Sequence, residues 1–190
     1  MSVNNIMIVG VGGQGSLLAS KLLGALLVNE GFDVKVSEVH GMSQRGGSVV
    51  TYVRYGDRVY SPIIDKGEAD IIVSFEKLEA ARYARFLKKG GTIIVNSQEI
   101  DPMPIITGAA NYPHEALESL KALGINVDEM NALAPALEAG SAKATNIVLM
   151  GRLSKYLPID EQKWLNAIQK TVAPKFVEMN LKAFALGRNQ

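Results

Sequence analysis

The sequence predicts an α/β fold: a single domain over residues 1–190, built on an open, mixed and mostly parallel sheet, with helices on both faces and a helical C-terminal part. Three observations predict it. The first is a short apolar run, Ile6 to Val9, that ends in Gly10-Val-Gly-Gly-Gln-Gly15 and passes into an apolar helical stretch from Leu17 to Val28. The second is the alternation of apolar strands with a charged helix between Asp70 and Asn96. The third is a helical pattern from Ala134 onward, interrupted at Pro158 and Pro174. Strands that alternate with helices make parallel sheets through crossovers, so the sum is a Rossmann-like arrangement.

Taken in order, Ile6 to Val9 is the first strand and the glycine run its exit. The helix from Leu17 to Val28 is apolar on nearly every face, which predicts packing on both sides. Ser20 and Lys21 interrupt it and it is too short to span a bilayer, so no membrane association is expected. Gly31 is its stop signal, and Val34 to Val39 is the second strand. Val49 to Tyr55 is rich in β-branched and aromatic residues. With Gly56-Asp57 and the apolar run Val59 to Ile64 it predicts a hairpin, which makes the sheet mixed.

Asp70 to Phe75, the charged helix Lys77 to Lys88, Gly90-Gly91 and Thr92 to Asn96 form the clearest β–α–β unit. Its strands are continuous apolar runs, as a sheet covered on both faces requires. Asp101 to Pro104 carries two prolines and is a loop or edge segment. A short helix over Glu115 to Leu123 and a strand over Ile125 to Met130 follow. Helices are then expected over Lys143 to Leu157, Glu161 to Thr171 (with Asp160 as N-cap) and Lys175 to Leu186.

Composition narrows the function. With 190 residues, 47% of them hydrophobic, the chain can bury a full core, and its net charge of +1 argues against a nucleic-acid surface. It has no cysteine, which removes disulfides, thiolate zinc sites, thiol catalysis and any iron–sulfur cluster ligated by this chain. The two histidines, His40 and His114, lie too far apart for a local metal motif, so no metal site is expected. No charged region precedes an apolar stretch at the N-terminus, so a secretory signal is not expected, and the composition is compatible with the expected location, the cytoplasm.

Two loops carry the candidate chemistry. Gly10-x-Gly12-x-x-Gly15 has the spacing of the dinucleotide fingerprint, with Gly13 and Gln14 between. Such glycines permit a tight turn, and the following helix N-terminus attracts a phosphate. Glu38, at the end of the second strand, stands where a ribose-binding acid belongs. The same glycines equally suit a sharp strand-to-helix turn or a partner surface. The second loop is Ser37-Glu-Val-His-Gly-Met-Ser-Gln-Arg-Gly-Gly-Ser48. Gly41, Gly46 and Gly47 allow close approach around Arg45, whose planar fork suits a phosphate, a carboxylate or a partner's acid. Ser43 belongs to the same loop, and Gln14 and Gln44 are amides placed to face each other across the sheet edge. The competing account of this loop is a polar surface segment.

Together these loops resemble the gamma-type subunit or domain of 2-oxoacid:ferredoxin oxidoreductases. The second loop is most similar to that of the small (beta) subunit of the indolepyruvate type. Ala144-Thr-Asn-Ile-Val-Leu-Met-Gly151 and Asn180-Leu-Lys-Ala-Phe-Ala-Leu-Gly187 match later landmarks of that family, so the resemblance spans the chain. It implies a subunit, inactive alone, of an enzyme that decarboxylates an aryl pyruvate, transfers the acyl group to coenzyme A and passes electrons to ferredoxin. It also implies thiamine diphosphate, magnesium and iron–sulfur clusters on a larger partner subunit, with none held tightly here. By resemblance Gly12, Gly13, Gln14, Arg45, Gly46 and Gly47 lie nearest the subunit junction, with Arg45 and the glycine-loop amides placed for coenzyme A. Two other readings stand beside it: a stand-alone NAD(P)- or flavin-nucleotide oxidoreductase, and a purely structural assembly subunit.

Of the remaining residues, His40 is a weak proton-donor candidate against a hydrogen-bonding loop role, and His114 is a surface residue at a helix start. Asn146 is expected to bond a neighbouring loop and Gly151 to allow close helix packing. Trp164 belongs to core or subunit interface, and Phe176, Val177, Leu181 and Phe184 to the core.

Overall fold

A computed structural model describes residues 3–40 and 47–190. Six strands lie in one sheet among these residues: β1 (Val3–Val11), β2 (Asp33–His40), β3 (Ser48–Gly56), β4 (Ala69–Ser74), β5 (Leu87–Asn96) and β6 (Asn126–Met130). Their order is β2-β3-β1-β4-β5-β6, with β1, β4, β5 and β6 parallel and β3 antiparallel to both neighbours.

Successive strand side chains point to opposite faces, and the apolar residues sort accordingly. Ile6, Ile8, Ile71, Val73 and Ile94 face a helical layer made of α1 (Ser16–Asn29), α5 (Leu133–Ala139), α6 (Thr145–Leu153), α7 (Glu161–Thr171) and α8 (Val177–Asn189). Met7, Val9, Ile72, Ile93 and Val95 face α2 (Lys77–Tyr83) and α4 (Ala116–Ala122) through Ala80, Leu117 and Leu120. Both faces are covered, which is why these strands read as unbroken apolar runs. In the first layer α6 and α8 cross at two glycines. A Cβ on Gly151 would stand 2.2 Å from the Phe184 carbonyl oxygen, and one on Gly187 would stand 2.0 Å from that of Val148. Trp164 and Phe184 are core residues, with ring centroids 5.7 Å apart.

Several expectations change. The hairpin partner of β3 is β2, not the run from Val59 to Ile64, so β3 lies between β1 and β2. Pro62 lacks a ladder donor, and the carbonyls of Ser61 and Ile63 accept from Arg54 Nη1 at 3.1 and 2.6 Å instead of from a strand. The charged helix stops at Tyr83, and Gly90-Gly91 sit inside β5 rather than before it. Gly90 has φ +83°, a Cβ on Gly91 would meet Asp70 O at 2.8 Å, and the β4–β5 register shifts there, so the pair makes a bulge. Asp101 to Pro104 runs into a short helix, α3 (Met103–Ile106), whose first turn tolerates Pro104. The helix expected over Lys143 to Leu157 is α6 and ends at Leu153.

Two burial expectations fail as well. Phe176 is 46% exposed, because the chain turns at Pro174 and leaves its ring outside the core. Helix α1 is packed on one side only among the described residues: Leu17 and Val28 are 62% and 58% exposed, and Val36 and Val39 on edge strand β2 are 46% and 48% exposed. Leu17, Val28 and Val36 form an uncovered apolar surface, whereas Val39, an odd number of residues from Val36, points to the other face of the sheet.

Candidate functional site

The connection from β1 runs through α1 on one face of the sheet, while β4 connects to β5 through α2 on the other. The chain therefore diverges at the carboxyl ends of β1 and β4, the position where open α/β sheets bind ligands. The loop after β1 fills this point. Gly10 passes close to β4: a Cβ there would meet Gln14 Oε1 at 2.8 Å and Phe75 Cβ at 3.0 Å. Gly12 N donates to Gly47 O at 2.9 Å, which joins the two glycine loops. Gly13 and Gly15 carry φ of +100° and +86°. Gly15 is the N-cap of α1 without a side-chain cap, and the intrahelical bonds begin with Ala19 N to Gly15 O. The amides of the first turn thus remain donors.

These amides open on a cleft of about 380 Å³ lined by Gly12, Gly13, Gly15, Ser16, Leu17, Glu38 and Val49. The helix end favours an anion and the Glu38 carboxylate opposes one, so a ligand must place its negative charge toward the amides and a neutral or donor group toward Glu38. The dinucleotide fingerprint needs its acid on the strand beside the glycine loop, whereas β3 separates β2 from β1. Glu38 lines the cleft but does not hold that place.

Gln14 turns out to be a structural clasp. Its Oε1 accepts from Val11 N at 2.7 Å, and its Nε2 donates to Phe75 O at 3.1 Å and Gln98 Oε1 at 3.2 Å. Asn96, 1% exposed, donates to the same Phe75 carbonyl and accepts from Ala132 N at 3.0 Å. One chain of amides thereby ties together the loops after β1, β4, β5 and β6. Gly41, Ser43, Gln44, Arg45 and Gly46, and with them the expected pairing of Gln14 with Gln44, lie outside the described residues, as does the side chain of His40 at the end of β2.

Sequence reasoning missed two acids beside this edge. Glu76, 1% exposed, accepts from Glu79 N at 2.8 Å, from Ile100 N at 3.2 Å and from the Tyr112 hydroxyl. Burial, reinforced by that bond to Glu76, holds the Tyr112 hydroxyl well above its ordinary pKa. Glu79, 3% exposed, accepts from Ser48 Oγ, just past the second glycine loop, and from Arg82 Nη1 at 2.9 Å. Burial pushes its carboxyl pKa up, although the Ser48 and Arg82 contacts pull the other way. The available signal was faint: Glu76 is the N-cap of α2, just before the charged helix expected from Lys77, and Glu79 read only as part of that helix. Asn146 does bond the glycine loop, donating from Nδ2 to Gly15 O at 3.1 Å. His114 is exposed and sits 2.9 Å from Glu99 Oε2.

The pyruvate ferredoxin/flavodoxin oxidoreductase family matches residues 5–190. The chain is similar to the indolepyruvate oxidoreductase subunit IorB of Thermococcus kodakarensis, 43% identical over 98% of this chain and 95% of that one. It is 45% identical to the subunit of that name from Pyrococcus horikoshii, with the same coverage. Among solved structures, the pyruvate oxidoreductase subunit PORC of Thermotoga maritima superposes with a TM-score of 0.75 over 100% of this chain and 97% of that one. At 18% identity that likeness speaks for the fold. Sequence kinship along nearly the whole chain, on a shared fold, places this protein in the pyruvate ferredoxin/flavodoxin oxidoreductase family.

Proposed function

We infer that this chain is the small subunit of a 2-oxoacid:ferredoxin oxidoreductase of the indolepyruvate type, acting in the cytoplasm with a larger partner subunit. The observation that carries the reading is the near full-length identity of 43–45% to two indolepyruvate oxidoreductase subunits. The reaction decarboxylates an aryl pyruvate, transfers the acyl group to coenzyme A and delivers two electrons to ferredoxin. Thiamine diphosphate supplies the carbanion-stabilising chemistry of such a reaction. With no cysteine in this chain, thiolate-held clusters belong on the partner, along with thiamine diphosphate and magnesium.

What the chain itself offers is a binding edge. The first-turn amides of α1, at Ser16 and Leu17, and that of Gly13 suit one phosphate of coenzyme A; Gly12, whose N–H is held by Gly47 O, contributes close backbone approach, and Arg45 adds a charged donor from the second loop. Glu38 suits a hydroxyl or amide of the same molecule. Gly41, Gly46 and Gly47 suit close backbone approach to it, and Ser43 and Gln44 are polar candidates in the same loop. The uncovered apolar surface on α1 and β2 supports a subunit that buries this face against a partner.

The reading is tested by turnover of indolepyruvate with coenzyme A and a low-potential dye, without oxygen, by this chain alone and mixed with its large subunit. Activity is expected only in the mixture. Nucleotide binding by this chain alone, with no effect on the large subunit, would sink it in favour of a stand-alone nucleotide enzyme. Arg45→Ala is expected to raise KM for coenzyme A while assembly stays intact. Loss of association before any kinetic change would make the loop purely an assembly element.

A further inference from the structure

A second cavity, of about 450 Å³, shares the first turn of α1 with the cleft but opens into the helical layer. It exists because three helix ends meet loosely. Helix α5 stops at Gly140 (φ 122°), α7 gives way to extended backbone at Val172, and Pro174 turns the chain before α8 begins. Its size is that of a small-molecule site rather than a packing flaw.

Its chemistry is one-sided. Leu18, Val172, Phe176 and Met179 make the walls apolar, and among the described residues no Asp or Glu lines it. Phe176 presents a ring that is 46% exposed, which offers an aromatic face to a ligand. Met179 adds a polarisable sulfur suited to an aromatic edge. Lys143 lines the cavity, and no ion pair to it occurs among the described residues, while Lys175 lies 4.9 Å from the centroid of the Phe176 ring. The rim is therefore cationic. Asn180 donates from Nδ2 to Phe176 O at 2.8 Å, which leaves it an acceptor for an N–H donor.

We propose that this cavity binds an aryl carboxylate, with the ring stacked against Phe176 and Met179 and the carboxylate held toward Lys143. The occupant is either an aromatic 2-oxoacid or the corresponding arylacetate, which share this chemistry. The proposal rests on the cavity and not on the complex reading, so turnover and binding fail independently.

The experiment is calorimetric titration of the full chain with indole-3-pyruvate, indole-3-acetate, indole and octanoate. Saturable 1:1 binding is expected for both indole acids. Tighter binding of one of them identifies which source the site serves. Lys143→Ala is expected to weaken binding about threefold, the scale of one exposed ion pair. Ala173→Phe fills the cavity from an exposed rim position and is expected to abolish binding at unchanged Tm. Indole binding as tightly as indole-3-acetate would overturn the carboxylate assignment, and tighter octanoate binding the aryl one. No saturation by about 10 mM, or wild-type affinity in Ala173→Phe, would overturn the site.

Discussion

Alanine at Gly13 and at Gly15 creates the same backbone strain in two different surroundings, and the comparison isolates what Asn146 does for the glycine loop. Both residues have positive φ, +100° and +86°, and an L residue in left-handed backbone costs roughly 1–2 kcal/mol. At Gly13 a Cβ meets nothing within 4 Å, so Gly13→Ala is expected to cost about that strain and no more. At Gly15 the Cβ would stand 2.6 Å from Asn146 Nδ2, which is the atom that donates to Gly15 O. The amide must move, and Nδ2 of a 3%-exposed side chain loses its bond to Gly15 O, while Oδ1 keeps Ile147 N. Breaking such a buried bond adds about 1–3 kcal/mol, for a total near 2–5 kcal/mol. Urea unfolding at constant m-value measures both variants. In an Asn146→Ala background the excess at Gly15 should close, because the group that is displaced is gone. Equal costs at the two glycines, or an excess that survives in the Asn146→Ala background, would refute the reasoning.

Gly151→Ala places a methyl 2.2 Å from Phe184 O, so α6 and α8 must separate; the overpacking cost of about 1–3 kcal/mol exceeds the roughly 0.5–1 kcal/mol gained from replacing a helical glycine. Calorimetry should record a lower Tm, and a higher one would show that the helices have room to part. Glu79 titrates above its ordinary value in the folded protein, chiefly through burial. Its contribution to stability is present in full below the unfolded value near 4.5 and is lost as pH rises through the folded pKa. Glu79→Gln should flatten that part of the urea midpoint against pH, and parallel curves for the two proteins would rule this out.

Local chemistry made much of the architecture legible. Apolar runs at Ile6 to Val9, Asp70 to Phe75 and Thr92 to Asn96 name strands because a sheet covered on both faces tolerates little else. Asp160 caps α7 by accepting from Gln162 N at 2.8 Å, and Pro158 and Pro174 mark helix boundaries, since these effects act within a few residues. The glycine spacing located the loop at the divergence of β1 and β4, and Asn146 and Gly151 were legible as contacts although their partners were not.

The partners had to come from the tertiary structure. Which strand lies beside β1 depends on a contest between β2 and β3 that a single strand's sequence does not record, and that contest moved Glu38 off the dinucleotide position. Gln14 looked like a ligand residue because an amide in a glycine loop is free until Phe75 and Gln98 are brought to it from 61 and 84 residues away. Glu76, just before a charged helix, and Glu79, within it, look like ordinary acids until folding buries them against Tyr112 and Ser48. The sequence by itself determined most of the strands and helices, though not the fate of Val59 to Ile64 or the helix at Met103, as well as where the glycine loop falls and the family, because periodicity, turn chemistry and motifs are local. Tertiary structure alone decided the strand order, the side of α1 left uncovered, and the cavity at three helix ends, because these depend on which distant surfaces exclude water from one another.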